Sequence, residues 1–164
     1  LFQNPDQQIL CATVREEIRF GLKHCGVPKE EWDARTESAV NLTGLSGKLD
    51  EDPLLLTRSK RQRVALASVL ATGPEIRGLA EPTSAQDDAG TTRIMEIAKG
   101  LTRAGKTVIL VSHDMELVAK YATRVLTLIK GRIVRDCAPS ELFDDTELLS
   151  HAALSRPGVY RIAD

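Results

Sequence analysis

Aromatic side chains make up only 4% of the 164 residues, and none falls between Lys48 and Thr107. Surfaces that bind nucleic acid interleave aromatics among basic residues for base stacking. The basic stretch inside that window, Arg58 to Arg63, therefore does not read as one, and no nucleic acid is expected as a partner. Bulk charge gives no pull on a polyanion either: 22 Lys and Arg face 23 Asp and Glu, for a formal charge of -1. The three cysteines, Cys11, Cys25 and Cys137, are odd in number and form no C-x-x-C pair. That fits a reducing compartment better than a disulfide framework or a zinc site. His24 and Cys25 are adjacent but lack the distant partners that a metal site needs. No apolar run approaches the roughly 20 residues of a membrane span, and no signal peptide opens the chain. The expectation is a soluble or peripheral protein. The first residues, "LFQNP", lack a methionine and read as the middle of a strand-to-loop transition, so an amino-terminal part is expected to be missing.

The residues that are present, 42% of them apolar, suffice for a sizeable core. The first half reads helical. Thr13 with Glu16 forms a capping box, and Val14, Ile18 and Leu22 follow at helical spacing until Cys25-Gly26. A second helix is expected from about Pro28, with Glu30 and Glu31 in its first turn, to Gly44. A third carries Val64, Ala67, Leu70 and Ala71 from Arg58 to Gly73-Pro74. Strand signals are confined to the second half. "TVILVS", Thr107 to Ser112, is a continuous apolar run of the kind buried in a parallel sheet, set between a helix with Ile94, Ile97 and Leu101 and another from Met115 to Tyr121. "RVLTLIKGRIV" then predicts a hairpin about Lys130-Gly131. The alternation predicts an α/β fold.

Three constellations carry chemistry. "VSHD" places His113 at the carboxyl end of a buried strand, where open α/β sheets gather ligands, although a polar residue there also simply marks a strand's exit. Glu81 stands in the same relation to its own strand, Ile76 to Ala80, and is suited to orienting or deprotonating a water. The third is "LTRSKRQRVALA", whose basic residues crowd a helix amino terminus that the dipole makes hostile to cations; a nearby anion would resolve the conflict. Arg77, inside an apolar strand, must reach a carboxylate or solvent.

Together these pieces resemble the ATP-binding domain of an ABC transporter, from the first residue almost to the last. "LFQNPDQQI" resembles the glutamine loop with Gln3 as its glutamine, and "LTRSKRQRVALA" the signature and its helix, with Thr57 in the place of the signature serine. "IRGLAEPT" resembles the Walker B strand with Glu81 as catalytic glutamate, "SAQD" the D-loop ending at Asp87, and "VSHD" the switch histidine at His113. "FQNPDQQ", the "GRIV" hairpin and the tail "SELFDDTELLSHAAL" look most like the energy-coupling factor importers of vitamins and metal ions. The resemblance implies the carboxyl-terminal portion of a P-loop NTPase of ABC type. Residues 4–72 would form mainly the helical subdomain and signature helix, 73–136 the Walker B, D-loop and switch-histidine core, and 137–164 a helical tail. It also implies ATP and Mg2+ as ligands, a transmembrane subunit and a second ABC domain as partners, and a peripheral position on the cytoplasmic face of the membrane. Glu81 and His113 would be catalytic, Gln3 would contact magnesium and the lytic water, and Thr57 and Asp87 would lie at the dimer interface.

Three departures from the pattern bear on activity. No G-x-x-x-x-G-K-S/T phosphate loop occurs in the chain, so the backbone cradle for phosphates is lacking. Arg58 and Ser59 occupy the places of the signature glycines. Ala80 stands where the magnesium aspartate belongs, leaving no intact metal site. Two readings follow: an importer ATPase subunit impaired in catalysis, or a degenerate interaction subunit that pairs with an active ATPase. A chromosome-maintenance ATPase is disfavoured, because such proteins insert a very long coiled coil where this chain has one short helical segment between Gln3 and Leu56.

Overall fold

The computed structural model describes residues 1–2 and 4–161, apart from the side chains of Val159 and Arg161. Gln3, the expected glutamine-loop residue, lies outside the described residues. The chain forms two compact units, Leu1–Val111 and Ser112–Asp164.

The first unit is built around one central helix. Helix α1 (Val14–His24) starts at Thr13, whose hydroxyl accepts a hydrogen bond from the Glu16 amide at 3.1 Å. Its apolar stripe, Val14, Ile18 and Leu22, is fully buried. Helix α2 spans Trp32–Thr43. The sequence predicts its start near Pro28, but Pro28 is extended (ψ 138°) and Lys29–Glu31 make a 3-10 turn that hands over to the α-helix at Trp32. Gly44, at φ 67°, ends it in the left-handed conformation that favours glycine. Helix α3 (Arg58–Thr72) lies between two cores. Val64, Ala67 and Ala71 pack with the stripe of α1 and with Ala39 and Val40 of α2. Leu66 and Leu70 instead pack on the sheet.

That sheet is two parallel strands, β1 (Ile76–Ala80) and β2 (Thr107–Val111), joined through helix α4 (Asp88–Arg103). Leu79 pairs with Leu110 and Arg77 with Val108, and this face packs on Leu66 and Ile94. Ile76, Ile109 and Val111 point the other way and are 63%, 54% and 59% exposed. The expectation of a strand buried on both faces is therefore corrected: a parallel strand is apolar throughout because helices cover both faces, and in this unit helices α3 and α4 cover one. Arg77 lies on the covered face, within electrostatic reach of the Glu75 carboxylate. It is 4% exposed, and among the described residues its Nε and Nη1 have no hydrogen-bond partner. Burial lowers its pKa, and the charge of Glu75 offsets only part of that.

The second unit contains helix α5 (Met115–Tyr121), the hairpin β3 (Val125–Ile129) and β4 (Arg132–Cys137), and the short helices α6 (Pro139–Asp144), α7 (Thr146–His151) and α8 (Gly158–Arg161). Lys130 and Gly131, both at positive φ (49° and 75°), form the two-residue turn that the hairpin signal predicts. Met115, Val118, Leu142, Phe143 and Leu149 make its core.

Candidate functional site

Glu81 follows the last residue of β1 and adopts φ 46°, a left-handed conformation that costs an ordinary L-residue about 1–2 kcal/mol. Both of its backbone groups are engaged. Its N–H donates to the Val111 carbonyl of β2 at 2.9 Å. Its carbonyl accepts from Gln62 Nε2 at 3.0 Å and from the Ser84 amide at 3.2 Å. At about 1 kcal/mol net apiece, these three bonds more than offset the strain. Such strain is held only where the surroundings determine it, and it aims the half-buried carboxylate from a strand end.

The turn after Glu81 is tied to the start of α3. Gln86 Oε1 accepts from the Ser59 hydroxyl at 2.8 Å, and Gln86 Nε2 donates to the Ser59 carbonyl at 3.0 Å. The same amide nitrogen lies 3.5 Å from Gln62 Oε1. Gln62 itself is completely buried. Sequence reasoning missed both glutamines. The available signal was a polar residue between Arg61 and Arg63 at the head of the most apolar part of the helix, which a basic cluster conceals.

Thr57 and Asp87 take helix-capping positions. Thr57 Oγ1 accepts from the Lys60 amide at 3.4 Å at the start of α3, and Asp87 Oδ1 accepts from the Gly90 amide at 2.8 Å at the start of α4. His113 belongs to the second unit, where it is exposed between Ser112 and Asp114; Asp114 caps α5 through bonds from the Glu116 and Leu117 amides at 3.0 and 3.2 Å. Glu81 and His113 are thus each described within their own unit.

Two of the basic residues at the start of α3 are engaged within the unit. Arg61 pairs with Asp6 at 2.7 Å and donates to the Leu56 carbonyl at 2.6 Å. Arg63 donates to the Thr43 carbonyl at 3.1 Å, at the carboxyl end of α2 where the dipole favours a cation. Burial lowers the Arg63 pKa, and the neighbouring Arg93 adds to the shift while Asp87 opposes it. The external anion expected from the sequence is thereby replaced, for Arg61 and Arg63, by a carboxylate and carbonyls of the same unit.

A magnesium ion does not fit at this strand end. Ala80 offers a methyl group where an oxygen donor is required. One oxygen of Asp87 is already taken by the Gly90 amide. Among the described residues, no three His, Cys, Asp or Glu side chains gather into a group that could hold a metal ion.

Elsewhere in the first unit, Cys11, Glu16, Arg19, Phe20, Lys23 and Trp32 line an open hollow of about 340 Å³. Phe20 is 41% exposed there, although the main stripe of α1 is buried. Burial and the adjacent Glu17 push the Cys11 thiol up. No helix among the described residues is long and apolar enough to cross a membrane.

No protein-family model matches the sequence. Individual proteins do. The chain is 45% identical over 163 residues to an ABC transporter ATP-binding protein of Methanosarcina mazei, covering 99% of this chain and 28% of that protein. It is 37% identical over 164 residues to the energy-coupling factor transporter ATP-binding protein EcfA of Methanocaldococcus jannaschii, covering 100% of this chain and 59% of that one. The solved structure of cbiO1 from Clostridium perfringens, part of the ABC transporter complex cbiONQ, superposes with a TM-score of 0.76 at 29% identity, over 99% of this chain and 65% of that one. The chain therefore spans less than two thirds of the length of each of these relatives.

Proposed function

We propose, from the premise that this chain belongs to the family of ABC transporter ATP-binding proteins, that it serves as the ATP-binding subunit of an importer for a vitamin or metal ion, with impaired catalysis. The observation that carries this reading is Glu81, held at φ 46° at the end of a parallel strand by β2 and α3. In that reading its carboxylate polarises the attacking water, and the switch residue His113 donates to the γ-phosphate. Gln3 contacts the water and senses the membrane subunit, a role resting on its motif alone. Thr57 and Asp87 face a second ABC domain while they cap α3 and α4. The hollow beside Phe20 and Trp32 receives an apolar helix of the transmembrane subunit, since exposed apolar patches mark interaction sites. The protein then sits peripherally on the cytoplasmic face of the membrane.

Ala80 favours a second reading: a subunit that hydrolyses nothing itself and pairs with an active ATPase. No step through magnesium can be written for this chain, because its residues do not fit the ion. Both readings agree that this chain, without a phosphate loop, binds Mg-ATP no better than millimolar by isothermal calorimetry. A micromolar dissociation constant would show another nucleotide site and overturn the motif assignment.

A further inference from the structure

We infer that Gln62 and Gln86 form a relay of side-chain amides that sets the backbone of Glu81 according to how the first turn of α3 is seated, which makes Gln62 a positioning residue. The description of Glu81 as the water-polarising group rests on the function proposed above; the relay itself does not.

The donors and acceptors match without conflict. The Ser59 hydroxyl donates to Gln86 Oε1 at 2.8 Å. Gln86 Nε2 donates to the Ser59 carbonyl at 3.0 Å and reaches Gln62 Oε1 at 3.5 Å. Gln62 Nε2 donates to the Glu81 carbonyl at 3.0 Å. Because Ser59 presents both a donor and an acceptor, the Gln86 amide has one orientation that satisfies it, and that orientation turns its NH2 toward Gln62. Gln62 is 0% exposed, so its amide has no recourse to solvent if either partner moves. Glu81 at φ 46° is the one element of the relay with a conformation to lose. Released from Gln62, it has a lower-energy region to enter, and that change carries its side chain off the strand end.

The relay gives a use to Ser59, a side chain standing where the family pattern has glycine. Arg58 and Ser59 open α3, the part of the chain that resembles the nucleotide-contacting signature. Displacement of that turn pulls on Gln86 and is felt at Glu81 through Gln62.

The test uses this chain labelled for NMR and needs no nucleotide, so failure of the proposed function and failure of the relay are distinguishable. Two signals are read: hydrogen exchange of the Glu81 backbone amide, with the Leu79 amide as control, and the 13C chemical shift of the Glu81 backbone carbonyl that accepts from Gln62. Gln86→Leu and Ser59→Ala are each expected to raise Glu81 exchange at least threefold and to move its carbonyl 13C resonance, leaving Leu79 unchanged. The double variant should equal Gln86→Leu alone, because both act through one path. Gln62→Met is expected to raise Glu81 exchange at least tenfold; if this buried substitution prevents folding, the Gln86 and Ser59 variants decide the matter. Unchanged Glu81 signals in both, or a response in only one of them, overturn the relay. So does a double variant whose effects simply add.

Discussion

Replacing Arg77 by methionine should stabilise the first unit. The guanidinium lies on the inner face of β1, beside Val108 and in line with Leu79, at 4% exposure, with Nε and Nη1 unpartnered among the described residues. A buried N–H deprived of an acceptor costs about 1–3 kcal/mol. Methionine keeps a straight apolar chain of similar course, so the packing supplied by the arginine methylenes is preserved while the unsatisfied groups go. Against this stands the loss of attraction to Glu75, an exposed carboxylate that already hydrogen-bonds Lys106. The net expectation is a gain of about 1–3 kcal/mol, since the orphaned groups outweigh a solvent-screened attraction. For a chain of this size each kcal/mol moves Tm by about 2–4 °C, which gives a rise of about 2–12 °C. The single tryptophan, Trp32, lies in the first unit and reports its unfolding by fluorescence, with urea titrations to check that the m-value is unchanged. Arg77→Lys is the control and should not reproduce the gain. Destabilisation of Arg77→Met by more than about 1 kcal/mol would refute the argument, because it would mean that the guanidinium makes bonds worth more than its burial costs.

Two further outcomes are expected. Alanine normally improves on glycine in a helix by about 1 kcal/mol, but at Gly90 an added Cβ would stand 2.5 Å from Gln86 Oε1 and 2.9 Å from Asp87 Oδ1. Gly90→Ala should therefore destabilise by about 1–3 kcal/mol in urea denaturation, and a gain in stability would contradict the geometry. The second concerns acid. A hydrogen bond from Lys106 holds the Glu75 carboxyl below its ordinary value, and a two-point contact from Arg124, at 2.7 and 2.6 Å, does the same for Asp136. A depressed carboxylate contributes its full stability above the unfolded pKa of about 4 and loses it as pH falls through the lower folded value. Glu75→Gln and Asp136→Asn should accordingly flatten the fall in Tm below about pH 4 while leaving its shape near neutrality unchanged; identical acid limbs in parent and variants would refute this.

What the sequence made legible was local. Thr13 with Glu16, Gly44, Gly73 and the Lys130-Gly131 pair mark element ends through backbone conformations that few residues adopt, and those ends fall where expected. The position of Glu81 directly after a strand ending at Ala80 also falls where expected. The exposure of Ile109 and Val111 was not, because an apolar strand specifies that it needs cover without saying whether the unit supplies it on both sides. Nor were the fates of Arg61 and Arg63: their partners, Asp6 and the Thr43 carbonyl, lie 55 and 20 residues away in sequence. Gln62 and Gln86 escaped for the same reason, since a hydrogen-bonded pair 24 residues apart leaves no periodicity to read.

The departures from the family pattern fall on side chains that would meet nucleotide or metal, while the scaffold that presents Glu81 is intact. Ala80 removes an oxygen donor but leaves its amide bonded to the Leu1 carbonyl at 3.2 Å and its strand in register with β2. Arg58 is exposed at a helix start that Thr57 still caps. Ser59 adds a side chain where bare backbone is expected, yet its hydroxyl is spent on Gln86 rather than left free to meet a phosphate. These placements separate two capacities that the importer reading otherwise treats as one. Under the proposed function, supporting a metal-bound phosphate needs the donor that Ala80 lacks, whereas the residues proposed to face a second domain, Thr57 and Asp87, are in place as the caps of α3 and α4. On the same reading, the chain's retained chemistry is therefore weighted toward association with an active partner, with Glu81 held at a strand end that lacks a magnesium donor.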